Sequence, residues 1–398
     1  MFDKSRKIKV IRILSSLGTG GAETVTRNHL IKIDKDRFNV LLFVNSFERK
    51  TINSEYLNKN NINIKYFAKE IVSLPYIPIS SFIQRVFRAP QIFGNRVISN
   101  VKMFMYICMY RPDVIHMHID TLTIFSKLQY RFIANVLKIK LYYTCSSIPE
   151  SVFKKEHELK KAKYLLNKCN LTIIALHNEM AYSLKSMFCT DNVIVLYNGV
   201  DVKKFRDCQI DRTSMLNKLG MPAESIIIGH IGRFSHVKNH RFLIDVFENV
   251  LKKEQKAQLL LIGSGLLKDD IYGYVKEKKL SEHVKFMGER NDIPEMLKIM
   301  DVFVLPSLYE GFSNVLLEAQ ASGVKCVVSD TITKEETLTD SISYLSLNDT
   351  LDIWSDYILN IDVKMDHKLG IDDLDYSQVV RKLENIYENK KESDICSY

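Results

Sequence analysis

Short apolar runs of strand length, each followed by a longer stretch of mixed polarity, recur along the whole chain and limit its fold more than any other feature. In the first half they lie at residues 10–14, 40–44, 114–118, 141–145 and 171–176. In the second they lie at 226–231, 258–262, 284–287, 302–305 and 326–329. Strands that alternate with helical stretches form parallel α/β layers. The rhythm therefore predicts two α/β sandwiches joined near residues 198–205, and 398 residues suffice for two domains of ordinary size. A Gly-rich turn, Gly18-Thr19-Gly20-Gly21, follows the first run and leads into a predicted helix over 22–33. Near the end, Tyr376, Val379, Val380, Leu383, Ile386 and Tyr387 have the spacing of an amphipathic helix, followed by a polar tail.

Composition removes several other classes. Apolar residues make up 46% of the chain and charged residues 26%, the balance of a folded globular protein. No apolar run approaches 18 residues, and Lys9 and Arg12 interrupt the stretch 8–17. Neither a membrane span nor a signal peptide is expected, so the reading is cytoplasmic. Seven widely spaced cysteines without a Cys-x-x-Cys pair argue against a disulfide framework or a thiolate zinc site. Charge is split: residues 1–197 carry 30 Lys and Arg against 14 Asp and Glu, and the remainder 26 against 33. The first half is thus suited to an anionic partner. Within it, residues 71–112 hold Arg85, Arg88, Arg96, Lys102 and Arg111 with no acid, together with Phe82, Phe87, Phe93, Phe104, Tyr106 and Tyr110. Such a segment fits a membrane interface, or equally a core helix with a solvated basic face.

Four loops at strand ends carry candidate chemistry. The Gly18 to Glu23 loop opens a helix and can hold a phosphate on backbone N–H groups, although alone it is equally a tight turn. It is not a dinucleotide fingerprint, because Glu23 stands where that motif needs glycine and Asn45 where it needs an acid. After the run 226–231 comes Gly232-Arg233-Phe234-Ser235-His236-Val237-Lys238-Asn239. Arg233 and Lys238 on one short loop can both reach a diphosphate, the first as a fork and the second as a point charge, or can be ordinary surface cations. After 302–305 comes a loop containing Glu310, Gly311, Phe312, Ser313, Asn314 and Val315, then a predicted helix capped by Ser313 or Asn314 and containing Glu318. A carboxylate there suits sugar hydroxyls, and free N–H groups from Gly311 to Val315 suit a phosphate. The fourth loop is His116-Met117-His118-Ile119-Asp120. It lacks the next ligand of a binuclear zinc signature, so His118 reads as a polar contact or proton handler and His116 as a buried histidine. Asp34-Lys35-Asp36 has the spacing of a metal–nucleotide chelate but sits in a polar turn.

In this order and at these distances the loops resemble the retaining GT-B glycosyltransferases of family 4, especially those of bacterial capsule, exopolysaccharide and O-antigen (lipopolysaccharide) assembly. Further marks are Tyr197-Asn198-Gly199-Val200-Asp201, Leu261-Ile262-Gly263-Ser264-Gly265, and Glu310 and Glu318 separated by seven residues. The resemblance implies two Rossmann-like domains facing a cleft. An acceptor-binding domain would span 1–200, a nucleotide-sugar-binding domain 201–370, and a terminal helix and tail over 371–398 would pack back on the first. It further implies that Arg233 and Lys238 clamp the diphosphate, Glu318 holds the ribose, Glu310 contacts donor-sugar hydroxyls, and Gly20 and Gly21 close on the phosphates. Asn198 and residues 311–315 would line the nucleotide-sugar site, with His118 near the donor sugar. No metal or other cofactor is implied; the substrate is a nucleotide sugar, UDP-linked in this reading, and the acceptor a glycan or polyprenyl-diphosphate-linked sugar at an anionic membrane surface. That places the protein in the cytoplasm, peripherally on the inner face of the membrane. The alternatives are a GT-B sugar-nucleotide epimerase and a non-catalytic GT-B-like binding protein. Nucleic-acid binding is not expected, since no recognised module is present.

Overall fold

The computed structural model describes residues 6–18, 20–46, 50–68, 81–118, 121–360 and 370–390, with backbone only over 81–94 and at 96. The chain divides into two units. One comprises the chain up to Leu196 together with the part from Val380 onward, and the other Tyr197–Val379. The first division falls near the expected boundary at 200, whereas the second falls inside the terminal helix Tyr376–Glu388 rather than before it.

The first unit holds seven parallel strands: β1 (Ile8–Leu14), β2 (Phe38–Val44), β3 (Asn63–Tyr66), β4 (Val114–Met117), β5 (Lys140–Thr144), β6 (Thr172–Ala175) and β7 (Val193–Val195). Their order is β3-β2-β1-β4-β5-β6-β7. The second unit holds six: β8 (Ile226–Ile231), β9 (Ala257–Ile262), β10 (Val284–Gly288), β11 (Val302–Leu305), β12 (Lys325–Ser329) and β13 (Ile342–Leu345). Their order is β10-β9-β8-β11-β12-β13, again parallel. Each sheet therefore reverses its winding once, between β1 and β4 and between β8 and β11. Doubly wound sheets bind ligands at the carboxyl ends of the strands flanking that reversal.

The central strands are the continuous apolar runs of the sequence because both their faces are buried. Three strands were not foreseen: β3 and β13, which have no such run, and β7, whose run Val193–Val195 is only three residues long. All three lie at a sheet edge with mostly half-buried residues, so burial did not demand a long apolar run there.

Five helices matter below: α1 (Gly21–Lys32), α2 (Ile52–Lys59) and α3 (Ser81–Tyr110) in the first unit, and α4 (His240–Lys253) and α5 (Asn314–Ser322) in the second. In the first unit the terminal helix is tied down by Arg37, which pairs with Glu384 at 3.0 Å and with Glu388. Glu384 also accepts the N–H of Asp34 at 2.8 Å. Asp34 in turn accepts the N–H of Asp36 at 2.9 Å, so Asp34-Lys35-Asp36 is the local turn that holds this contact.

Candidate functional site: two sheet reversals

In the second unit, the loop after β8 runs through Gly232, Arg233 and a single turn of 3-10 helix, His236–Lys238, into α4. Asn239 makes the change of direction with φ at 52°, a left-handed conformation that asparagine tolerates better than most residues. The loop is braced by the one after β9. Gly232 donates its N–H to Ile262 and Phe234 to Ser264, both at 2.9 Å. Gly263 and Gly265, with φ of +138° and +154°, allow this approach; a Cβ on either would lie 2.1 Å from Gly232 O or 2.4 Å from Phe234 O. That is the physical reason for the Gly-Ser-Gly mark.

The loop after β11 is tied to the same place, since Leu308 donates its N–H to Val237 O at 2.8 Å. Ser329 and Thr331 both donate to Ser307 O, at 2.6 and 2.8 Å. Glu310 then meets Lys238: Nζ to Oε1 is 2.5 Å, and Ser307 Oγ donates to the same oxygen at 2.6 Å. The pair is about one-sixth exposed. Arg233 is exposed and pairs with no acid among the described residues.

Ser313 is the residue preceding α5, but its hydroxyl makes no capping bond. Its N–H goes to Oε2 of Glu336 at 3.0 Å, so, contrary to the expectation from sequence, not every amide from Gly311 to Val315 is free for a phosphate. Glu336 is fully buried, and burial pushes its carboxyl up to about 8, with the N–H of Ser313 opposing and Glu310 adding to the rise. Nothing in the spacing of Lys334-Glu335-Glu336 marks it. Glu318 lies on α5, half-buried, and Val315 and Asn314 are half-buried beside it. Gly311 and Phe312 are buried; the Phe312 ring packs edge-on against Tyr197 at 5.6 Å. Asn198 Nδ2 donates to Phe312 O at 3.4 Å. The Tyr-Asn-Gly-Val-Asp segment is thereby anchored, and Gly199 leaves room for Tyr376, whose ring a Cβ would meet at 2.7 Å.

Beneath Lys238 lie two histidines that the sequence reading passed over. His230, on β8, donates from Nδ1 to Val304 O at 2.8 Å, and His240 stacks on Phe234 at 4.3 Å. Burial, with help from Lys238, lowers both, His240 to about 4. They are neutral packing groups.

In the first unit Gly20 precedes α1 as its cap and Gly21 begins it, half-buried and exposed respectively. The loop is held by α2, where Asn53 Nδ2 donates to Gly18 O at 2.6 Å and Thr51 to Leu17 O at 2.8 Å. His118 follows β4 directly and is buried. Its Nε2 lies 2.5 Å from Nη2 of Arg12 and 3.2 Å from Thr26 Oγ1 on α1. His116 is buried as expected and uses both nitrogens, Nδ1 with Tyr387 OH and Nε2 with Thr144 Oγ1, each at 2.7 Å. The two rings stack at 5.0 Å. Burial, then the charge of Arg12, holds His116 and His118 well below the usual imidazole range. Arg12, Thr26 and Tyr387 were not foreseen; the signal was a lone arginine inside a strand destined to be buried on both faces.

The basic segment is the helix α3. The segment 71–80 and the side chains of Phe82, Arg85, Phe87, Arg88, Phe93 and Arg96 lie outside the described residues. Tyr106 is not an interface group but packs edge-on against buried Phe43 at 5.3 Å, and Phe104 packs against Phe125. Exposed apolar residues lie elsewhere, at Val97, Ile98, Val101, Met105 and Met109 on α3, with Leu128, Phe132 and Val136 on the segment 127–136. A cleft of about 700 Å³ lined by Val97, Lys127, Lys155, Lys160 and Lys161 adjoins them. Among the described residues no helix is long and apolar enough to cross a membrane.

A family model described as "Glycosyl transferases group 1" matches residues 211–347, which contain Arg233, Lys238, Glu310 and Glu318. The chain is 29% identical over 360 residues to EpsF of Bacillus subtilis (strain 168), a glycosyltransferase by its name, covering 89% of this chain and 88% of that one. It is 34% identical over 169 residues to the UDP-Gal:alpha-D-GlcNAc-diphosphoundecaprenol alpha-1,3-galactosyltransferase of Escherichia coli, covering 41% and 43%. Among solved structures it is similar to Anabaena Alr3699/HepE in complex with UDP and glucose, with a TM-score of 0.71 at 17% identity over 96% of this chain and 99% of that one. Two doubly wound units, the basic loop after β8 and the carboxylates after β11 agree with this likeness: the chain has the GT-B fold, its residues 211–347 match the glycosyl transferases group 1 model, and the proteins it resembles are glycosyltransferases by name.

Proposed function

We propose that the enzyme moves a hexosyl or N-acetylhexosaminyl group, with retention of configuration, from a UDP-linked sugar to a glycan or polyprenyl-diphosphate-linked acceptor. The observation that carries this reading is the Lys238–Glu310 pair at 2.5 Å, which joins the loops after the two strands flanking the reversal of the second sheet. Lys238 and Arg233 meet the diphosphate. As the bond from anomeric carbon to phosphate oxygen breaks, that oxygen gains charge, and two fixed cations stabilise it more than they stabilise the bound donor. Glu310, released from Lys238 by the incoming phosphate, accepts hydrogen bonds from sugar hydroxyls. Glu318 accepts them from the ribose. The acceptor oxygen attacks the same face, and its proton passes to the departing phosphate oxygen. Gly20, Gly21 and His118 supply the first unit's substrate contacts. Arg233 and Lys238 take the place of a metal, so transfer should persist in EDTA; abolition by EDTA with rescue by magnesium would refute that point.

The named relative in Escherichia coli acts on a diphosphoundecaprenol-linked sugar, and HepE was solved with UDP and glucose. Both support a UDP donor and a lipid-linked acceptor here. A thermal-shift screen of nucleotide sugars tests the donor, because a ligand at 100 times its dissociation constant adds about 2.7 kcal/mol. Transfer to a synthetic polyprenyl-diphosphate sugar then tests the acceptor; stabilisation by no nucleotide sugar would refute the reading.

The same reading puts the first unit on the inner face of an anionic membrane. The exposed stripe Val97, Val101, Met105 and Met109 beside the lysine-lined cleft supports it, since apolar contact and about 1 kcal/mol per nearby cation add together. Sedimentation with anionic vesicles, release by salt, and loss of binding in Met105→Glu/Met109→Glu are expected. Equal sedimentation with neutral vesicles would overturn it.

A further inference from the structure

Arg12 is 2% exposed at the centre of β1, level with His116 on β4, and no carboxylate pairs with it among the described residues. A buried guanidinium is expected to meet an acid. Here its partners are neutral: Nη1 donates to Tyr387 OH at 3.2 Å, and Nη2 to Thr26 Oγ1 at 3.4 Å and to His118 at 2.5 Å. Arginine has donors only. Every group it touches must therefore accept, and that fixes the tautomer of His118. Tyr387 OH accepts from Arg12 and lies 2.7 Å from His116 Nδ1, whose Nε2 lies 2.7 Å from Thr144 Oγ1; these hydroxyls suit either tautomer of His116. His118 accepts at Nε2, so its proton sits on Nδ1. That nitrogen is buried and has no partner among the described residues. A buried N–H with no acceptor costs about 1–3 kcal/mol, a cost that a ligand oxygen at that nitrogen would relieve.

We propose that Arg12 is a positioning residue for transfer: it fixes His118 as the Nδ1–H tautomer, so that His118 meets the substrate as a hydrogen-bond donor and not as a base. This rests on the reading of His118 as a substrate contact. The ring's acceptor nitrogen is occupied by Arg12 and Thr26, so a substrate oxygen, whether hydroxyl, carbonyl or phosphate, is the matching partner. Among the described residues the groups that act on the ring are Arg12 on β1, Thr26 and His29 on α1 and His116 on β4, and none of them is acidic.

The test is a ring-nitrogen NMR spectrum of the full chain labelled with 15N-histidine, the His118 signals identified by their loss in His118→Gln. In the wild type, Nδ1 should carry the proton and Nε2 should be bare from pH 5.5 to 8. A proton on Nε2, or a doubly protonated ring at pH 6, would overturn the proposal without any variant being made. Arg12→Met with Thr26→Val should release the ring into a mixture of tautomers, whereas Arg12→Lys, which keeps a donor and a charge, should hold it. Tyr387→Phe should disturb the His116 signals and leave His118 as the Nδ1–H tautomer. The released variant should also lose on the order of tenfold or more in kcat for the donor found by screening, with Arg12→Lys recovering most of it. An altered tautomer with unchanged kcat would remove Arg12 from the reaction while leaving the second unit's diphosphate site intact. Unchanged kcat in Arg233→Ala would instead remove that site and leave the tautomer assignment standing.

Discussion

The two sheets share one strand order around their reversals, yet the polar groups set there differ in kind. In the first unit a buried, permanently charged arginine is surrounded by neutral groups, and in the tautomer proposed for His118 the ring's proton is set before any ligand arrives. In the second, a half-buried lysine and glutamate hold one another, and in the proposed reaction each exchanges its partner for a substrate group. One topology thus supports a preset site and an exchangeable one. The first is paid for in folding stability, and the second in reorganisation on binding.

The comparison is broken most sharply by removing the cations of the second unit. Lys238→Ala or Arg233→Ala should lower transfer on the order of 10²-fold or more while the melting temperature stays near that of the wild type. Wild-type turnover in either folded variant would show that the pair is only a surface contact. Next in size are the two glutamates. Glu310→Gln should reduce kcat on the order of tenfold, and Glu318→Ala should raise the donor KM by a similar factor with kcat little changed, because a ribose contact contributes uniform binding. The reverse kinetic pattern would exchange their roles.

The first unit should respond in stability. Tyr387→Phe leaves both Arg12 Nη1 and His116 Nδ1 without their partner and should cost about 1–3 kcal/mol, read by denaturant melts. A neutral result would mean that the network is not closed by the terminal helix.

The smallest effect is one of pH. His29, His116 and His118 are held neutral by burial, so the unfolded chain binds more protons than the native one below pH 6.5. Stability from these groups is present above that pH and is lost as pH falls; His230 and His240 add to the same trend. Glu336 acts in the opposite direction. With its folded value at about 8, the native state holds the extra proton above the usual carboxyl range, so its contribution is lost as pH rises toward 8. Glu336→Gln, which imitates the protonated acid, should match the wild type near pH 5 and melt higher at pH 8. Parallel curves for the two proteins would show that Glu336 is ionised throughout.

What could be read from the residues alone was whatever depends on short-range pattern. Continuous apolar runs located the inner strands of both sheets because burial on two faces leaves no room for alternation. The loops after β1, β8 and β11 were legible as candidate sites because strand, glycine and helix follow one another closely in sequence, and the loop after β4 by the spacing of His116, His118 and Asp120. The edge strands β3, β7 and β13 were not legible, since half-buried edges accept almost any residue. Nor were the partners. Arg12 and Tyr387 are 375 positions apart, Lys238 and Glu310 are 72 apart, and Glu336 reaches Ser313 across 23. A single sequence records which side chains can donate or accept. Only the winding of the sheets brings a donor to a particular acceptor, and with it decides which nitrogen of His118 holds the proton and which amide before α5 is already taken.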